Sequence, residues 1–253
     1  MRQKLQYPFE NPKRMKLIRN ALVLLPALLL MASVSSPVFK NKITFKEMMV
    51  DLTAKSVVTD CYSEWNLTAA GLSQAAFNNA VKGFNYLQSK KLLNNSNVLT
   101  IVDYSKPSSQ KRLYVVDMNN GKILFNTLVA HGRNSGLEYA TNFSNQEESH
   151  QTSLGFFITL NTYNGGNGYS LKLKGCEKGI NDKSIERAIV MHGAAYADEQ
   201  FLQNNGYLGR SYGCPAVPEK INKKIIDVIK NGSCMFLYHP TKKYTSISKI
   251  LNS

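Results

Sequence analysis

Hydrophobic and polar positions follow two different periods along the chain, and the change between them falls at Val98. Upstream, Ser73 to Leu92 contains no proline, and Phe77, Val81, Phe84 and Leu87 recur at helical spacing. This pattern gathers apolar side chains on one stripe, so one or two amphipathic helices are expected within Leu67–Leu93. Asn94-Asn95-Ser96-Asn97 then interrupts the pattern as a turn or linker. Pro37–Asn66 is mixed and predicts no clear element.

From Val98 onward the segments are short and rich in branched and aromatic residues. Val98–Tyr104, Arg112–Asp117 and Lys122–Ala130 read as strands. Asn119-Asn120-Gly121 marks a hairpin between the last two, because glycine tolerates the positive φ of a tight turn. His131–Gly136 and Thr141–Ser153 are polar loops. Gly155–Thr162 and Tyr169–Lys174 are strands around a turn at Gly165, Gly166 and Gly168. Arg187–Met191 is nearly continuous in apolar character, as in a strand buried on both faces. Asp198 caps a short helix through Phe201 and Leu202 that stops near Gly206. Pro218 suits the first turn of a further helix with Ile221, Ile225, Val228 and Ile229 on one face and Gly232 at its C′ position. Cys234–Tyr238 returns as a strand, and the tail beyond Pro240 reads as polar and basic.

Composition sets the class without naming a function. A hydrophobic content of 43% with 19% charged residues describes a folded chain, and 253 residues can bury one sizeable core. The net charge of +14 points to an anionic partner. No helix-turn-helix, zinc-finger or RNA-binding signature accompanies that charge, which argues against nucleic acid. Arg2, Lys4, Lys13, Arg14, Lys16 and Arg19 precede an apolar run, Ala21–Met31, which small residues follow. That order is the pattern of a secretory signal, with an uncleaved N-terminal anchor as the alternative. The run is shorter than the ~20 residues of a membrane-spanning helix.

Export would place Cys61, Cys176, Cys214 and Cys234 in an oxidising compartment. Their spacing is long and irregular and contains no CxxC, so a metal site is poorly supported. Cys234 sits in an apolar strand pattern and reads as a small core residue. Cys61 and Cys176 can pair with each other, an alternative that spacing leaves open. Cys214 is the candidate functional thiol. It lies in a glycine-containing turn, Ser211-Tyr212-Gly213-Cys214, shortly before a helix. There Gly213 allows close approach of substrate, and consecutive amides can hold an oxyanion. His192-Gly193 follows the buried apolar run, which would fix the imidazole rigidly. A thiol and an imidazole are the parts of a nucleophile and its general base. His131 is a candidate second-shell or substrate residue, with a locally bonded turn histidine as the alternative reading. His150 reads as solvated and His239 as structural, while Asp182, Asp198 and Glu199 read as caps and loop charges.

These residues resemble the YkuD-type L,D-transpeptidase catalytic-domain family, whose hallmark is His-Gly, a spacer, then Ser/Thr-His-Gly-Cys. The stretches that carry the likeness are HGRNSG (131–136), SLGFFIT (153–159), SLKLKGCEKGIND (170–182), ERAIVMHGAAY (186–196) and GRSYGCPAVP (209–218). The resemblance implies Cys214 as nucleophile and His192 as base, with Gly193 lending a backbone carbonyl to orient the ring. It implies oxyanion amides at Gly213 and Cys214, and a loop shaped by Ser211. Gly155 and Phe157 match a glycine–aromatic strand start beneath the site. Two positions depart from the family pattern. Tyr212 stands where a second histidine is common, and Pro215-Ala216 replace an apolar residue followed by Arg or Asn. Arg210 is a candidate to replace the missing basic group, so Ser211, Tyr212, Arg210 and His131 are the expected substrate-side residues.

The fold implied is mainly β with some α: a sandwich-like catalytic domain with a mixed sheet, preceded by a small helical segment. The expected organisation is a leader over 1–35, helices over 36–96, the catalytic domain over 97–240 and a polar tail over 241–253. The expected partner is the peptidoglycan stem peptide, in the periplasm or cell wall. The chemistry calls for no cofactor or metal, and the alternatives are stem-peptide hydrolysis or non-catalytic wall binding.

Overall fold

The structure, a computed structural model, describes residues 61–253, so the leader and most of the segment before the first helix lie outside the described residues. Helix α1 (Gln74–Ser89) starts where the periodicity predicts. The Ser73 hydroxyl caps it by accepting from the Ala76 amide at 3.2 Å. Its buried stripe of Phe77, Val81, Phe84 and Leu87 joins the main core.

Eight strands follow: β1 (Val98–Asp103), β2 (Leu113–Asp117), β3 (Lys122–Thr127), β4 (Gly155–Gly165), β5 (Gly168–Gly175), β6 (Val190–Gly193), β7 (Ala216–Val217) and β8 (Cys234–Tyr238). They form one mixed sheet in the order β3-β2-β1-β8-β4-β5-β6-β7. Strand β8 sits in the middle, parallel to β1 and antiparallel to β4. Its five residues are all buried, as a central strand requires. Ala130, just after β3, bridges to Ala216 in β7, so the two ends of the sheet meet. This contact gives the sheet its closed, sandwich-like form.

Between these strands lie α2 (Glu199–Asn205), α3 (Glu219–Ile229) and the one-turn α4 (Lys242–Thr245). Asp198 caps α2 by accepting from the Phe201 amide at 2.8 Å, and Gly206 ends it with φ 79°. Pro218 is the N-cap residue of α3, one position earlier than expected. After the C-cap Lys230 of α3 come two residues of positive φ, Asn231 at 64° in the position expected of glycine and Gly232 at 100°.

Three other boundaries differ from the sequence reading. The strand expected to run to Ala130 stops at Thr127. The strand expected over Arg187–Met191 is displaced toward its C-terminus: Ala188 has φ 51°, which no regular strand adopts, and β6 begins at Val190. His192 therefore lies within the strand, not beyond it. The tail is not simply polar. Tyr244, Ile250 and Leu251 are buried in the main core, and Ser248 and Tyr244 bond the buried Glu177 carboxylate. Apolar partners for so short a stretch come from distant strands, and no local period announces them.

Candidate active site

Strand β6 delivers His192 beside the turn that carries Cys214 by pairing in parallel with β7, in the register His192 with Ala216 and Gly193 with Val217. Cys214 stands just before that pairing. Both side chains line one cleft of about 730 Å³. His192 is only 4% exposed, and its Nδ1 lies 3.0 Å from the Gly193 carbonyl oxygen. A carbonyl can only accept, so Nδ1 carries the hydrogen and the neutral ring presents a lone pair at Nε2. Gly193 cannot easily be larger, since a Cβ there would come within 3.1 Å of both Asn222 Cβ and the Glu219 Cα of α3.

The Cys214 sulfur accepts from the Val190 amide at 3.4 Å and contacts the Ala188 carbonyl at 3.7 Å. Its hydrogen-bond partners are thus main-chain groups at the entrance to β6, not the imidazole. Burial pushes the thiol pKa up, and the Val190 amide and the Arg187 charge pull it back. All four cysteines are free thiols, so Cys61 and Cys176 are not bridged. Burial raises Cys176 to about 12 and holds Cys234 well above the ordinary thiol range. This leaves both poorly suited to nucleophilic work.

The turn before Cys214 is held from inside. Ser211 Oγ accepts from the Gly213 amide at 3.0 Å and donates to the Cys214 carbonyl at 2.6 Å. Two expectations change as a result. The Ser211 hydroxyl is consumed within its own turn instead of facing substrate, and the Gly213 amide is already committed. The Cys214 amide, by contrast, has no acceptor among the described residues. Gly213 has φ 119°, and a Cβ there would lie 2.8 Å from the Gln151 carbonyl, so glycine is required on both counts.

Tyr212 and Arg210 both line the cleft. The exposed Tyr212 ring stacks on His150 at 4.4 Å and lies 5.7 Å from the Arg133 guanidinium. His150 is therefore an aromatic support, not a free loop histidine. Arg210 is exposed, with Nη1 3.4 Å from the Gly136 carbonyl. His131 is elsewhere. It is fully buried, with Nδ1 2.8 Å from Arg112 Nη2 and Nε2 3.3 Å from the Gly136 carbonyl. Burial, followed by the Arg112 charge, holds its pKa down at about 3. It has no exposed surface, and its ring is held between the Arg112 guanidinium and the Gly136 carbonyl.

Sequence reasoning missed two arginines. Arg112 is wholly buried, and Tyr104 lies under its guanidinium at 4.9 Å. It donates to Val129 O, Lys106 O and His131. Arg187 lines the cleft while its guanidinium is anchored on the 144–153 loop. Its only local signal is its place at the head of an apolar run.

A family model described as the L,D-transpeptidase catalytic domain matches residues 68–238. The chain belongs to this family. Solved structures similar to it include an L,D-transpeptidase from Mycobacterium smegmatis, at 14% identity and a TM-score of 0.35. The match covers 56% of this chain and 59% of that one. An Enterococcus faecium L,D-transpeptidase matches at 15% identity and a TM-score of 0.34, over 56% of this chain and 48% of that chain. The helical cell shape determining protein Pgp2 from Campylobacter jejuni matches at 13% identity and 0.38, over 63% and 54%. The chain thus spans about half the length of these structures. No curated protein matches the chain significantly.

Proposed function

We propose that this chain is a peptidoglycan L,D-transpeptidase with Cys214 as its nucleophile and His192 as its general base. One observation carries the reading. The parallel pairing of β6 with β7 opens Cys214 and His192 into a single cleft, while the Gly193 carbonyl fixes the imidazole tautomer with Nε2 as acceptor. His192 takes the thiol proton. The thiolate attacks the amide carbonyl of the third stem-peptide residue, and the Cys214 amide donates to the developing oxyanion. D-Ala leaves with the proton returned by His192, giving a thioester. The amine of a second stem peptide then attacks the thioester carbonyl, the C–S bond breaks, and the amine's proton passes through His192 to the departing Cys214 sulfur. The aromatic wall of Tyr212 and the exposed Arg210 border the approach. The proposal includes an exported location, in the periplasm or cell wall, which the leader pattern of the sequence supports.

Intact-mass measurement after exposure to a carbapenem tests the reading. The expected result is one covalent adduct, mapped to Cys214 and absent in Cys214→Ala, with His192→Ala slowing its formation by roughly 10²- to 10⁴-fold. An adduct that persists in Cys214→Ala would overturn it. Incubation with tetrapeptide muropeptides then distinguishes cross-linked dimers, the expected product, from trimmed tripeptides, which would mean hydrolysis.

A further inference from the structure

Arg187 has no part in the steps above, yet it stands beside the nucleophile. Nη1 donates to the Ser144 carbonyl at 2.8 Å and to Ser153 Oγ, and Nη2 to the Gln151 carbonyl at 2.7 Å and Ser149 Oγ at 3.2 Å. All four acceptors are neutral oxygens, and among the described residues no carboxylate forms an ion pair with this guanidinium. The group faces the nucleophile turn, since a Cβ built on Gly213 would lie 3.3 Å from Nη2. The sulfur meanwhile rests on main-chain groups of Ala188 and Val190, the residues that follow Arg187. One short stretch of chain therefore positions both the thiol and a fixed cation.

The other titratable or charged groups around Cys214 and Arg187 are His192 in β6, Tyr196 in the turn after it, Tyr104 just after β1, Tyr207 and Tyr212 on the cleft wall, Arg133 and Arg210 from two loops, and Glu147 on the loop that anchors Arg187. Arg133 is directed to the Tyr212 ring and Arg210 to the Gly136 carbonyl. Arg187 alone of these cations is tied by four internal bonds and is in no ion pair among the described residues; the Glu147 charge that reaches it is itself paired with Lys183 at 3.7 Å. A charge held in a half-buried site acts several-fold more strongly than the same charge in water.

We propose that Arg187 is a positioning residue of this active site, a cation locked against the Cys214 turn that holds the sulfur's negative charge once its proton has moved to His192. The proposal rests on the reading of Cys214 as the nucleophile. It agrees with the balance at the thiol, where burial raises the pKa and the Val190 amide and Arg187 oppose it.

The test is the pH dependence of Cys214 alkylation by iodoacetamide, followed by peptide mass mapping, in the wild-type protein, Arg187→Gln and Arg187→Lys, with thermal melts alongside. Loss of an adjacent opposite charge should move the Gln midpoint up by about one unit and slow alkylation roughly tenfold at neutral pH. Arg187→Lys, which keeps the charge, should stay within about half a unit of wild type. A Gln profile that superimposes on wild type overturns the proposal. Should the Gln variant not fold, Arg187→Met takes its place: a midpoint raised by about a unit supports the proposal, and one that matches wild type overturns it. Alkylation reads the thiol with no stem peptide present. A shifted profile without a carbapenem adduct would therefore refute the enzymatic reading and leave the electrostatic one standing.

Discussion

His131 and His192 are both buried imidazoles, and their neighbours set opposite tautomers. Arg112 can only donate, so His131 accepts at Nδ1 and carries its hydrogen at Nε2, toward the Gly136 carbonyl. His192 donates at Nδ1 to Gly193 and keeps Nε2 free to accept. His131 also gives a pH prediction. Its folded pKa of about 3 lies below the ordinary histidine value of about 6.5, so between these limits the unfolded chain binds more protons. Its contribution to stability is present above pH ~6.5 and is lost as pH falls toward 3. In thermal melts, His131→Gln should be less stable than wild type at pH 7 yet lose less melting temperature on acidification from pH 6.5 to 4. Equal acid sensitivity of the two proteins would refute this. The His-Gly and Ser-x-Gly-Cys residues were legible in the sequence because each belongs to a local strand end or turn. The use of His131 was not legible, because its partner Arg112 lies 19 residues upstream, just before β2. The same holds for Arg187, whose anchors lie on a loop far upstream.

Among the elements, α1 shows packing overruling propensity. Gly83 lies in its middle, where alanine would ordinarily gain about 1 kcal/mol. A Cβ at Gly83 would stand 2.0 Å from the Phe156 ring of β4, so the helix rests directly on that ring. Overpacking of this kind costs about 1–3 kcal/mol. Gly83→Ala should therefore be destabilising overall, by up to about 2 kcal/mol, in urea or thermal unfolding; a gain in stability would show that the ring moves aside freely. Strands with strong alternation or full burial, such as β1, β2 and β8, were readable from their residue types. The two-residue β7 was not, because it exists only through its pairing with β6 and its bridge to Ala130. The displaced start of β6 has a similar origin. Arg187 to Ile189 read as strand by composition, but Ala188 is held in a left-handed turn by contacts that composition does not record.

Across the whole molecule, the C-terminal residues are fastened through one buried carboxylate. Glu177 accepts from the Phe156 amide at 2.9 Å, from Tyr244 Oη at 3.1 Å and from Ser248 Oγ. No cation lies among these partners, and burial raises the carboxyl pKa against the hydrogen bonds that lower it. A carboxyl raised in the folded state contributes most below its unfolded value of about 4.3, and that contribution is lost as pH climbs through the folded value. Wild-type protein should accordingly lose more melting temperature between pH 5 and 8 than Glu177→Gln, whose amide can keep the same neighbours without a charge. Identical slopes would show that Glu177 ionises as easily folded as unfolded.

The place of β8 bears on how the chain reaches this form. Last of the eight described strands in chain order, it joins β1 on one side and β4 on the other. Until those five residues have been made, the β1–β3 meander and the β4–β5 hairpin remain two separate ribbons, each exposing an unpaired backbone row to any neighbouring polypeptide. Closure of the sheet, and with it the core beneath Cys214 and His192, thus waits on a strand far along the chain. A nascent copy that stalls before Cys234 has nothing to seal either ribbon.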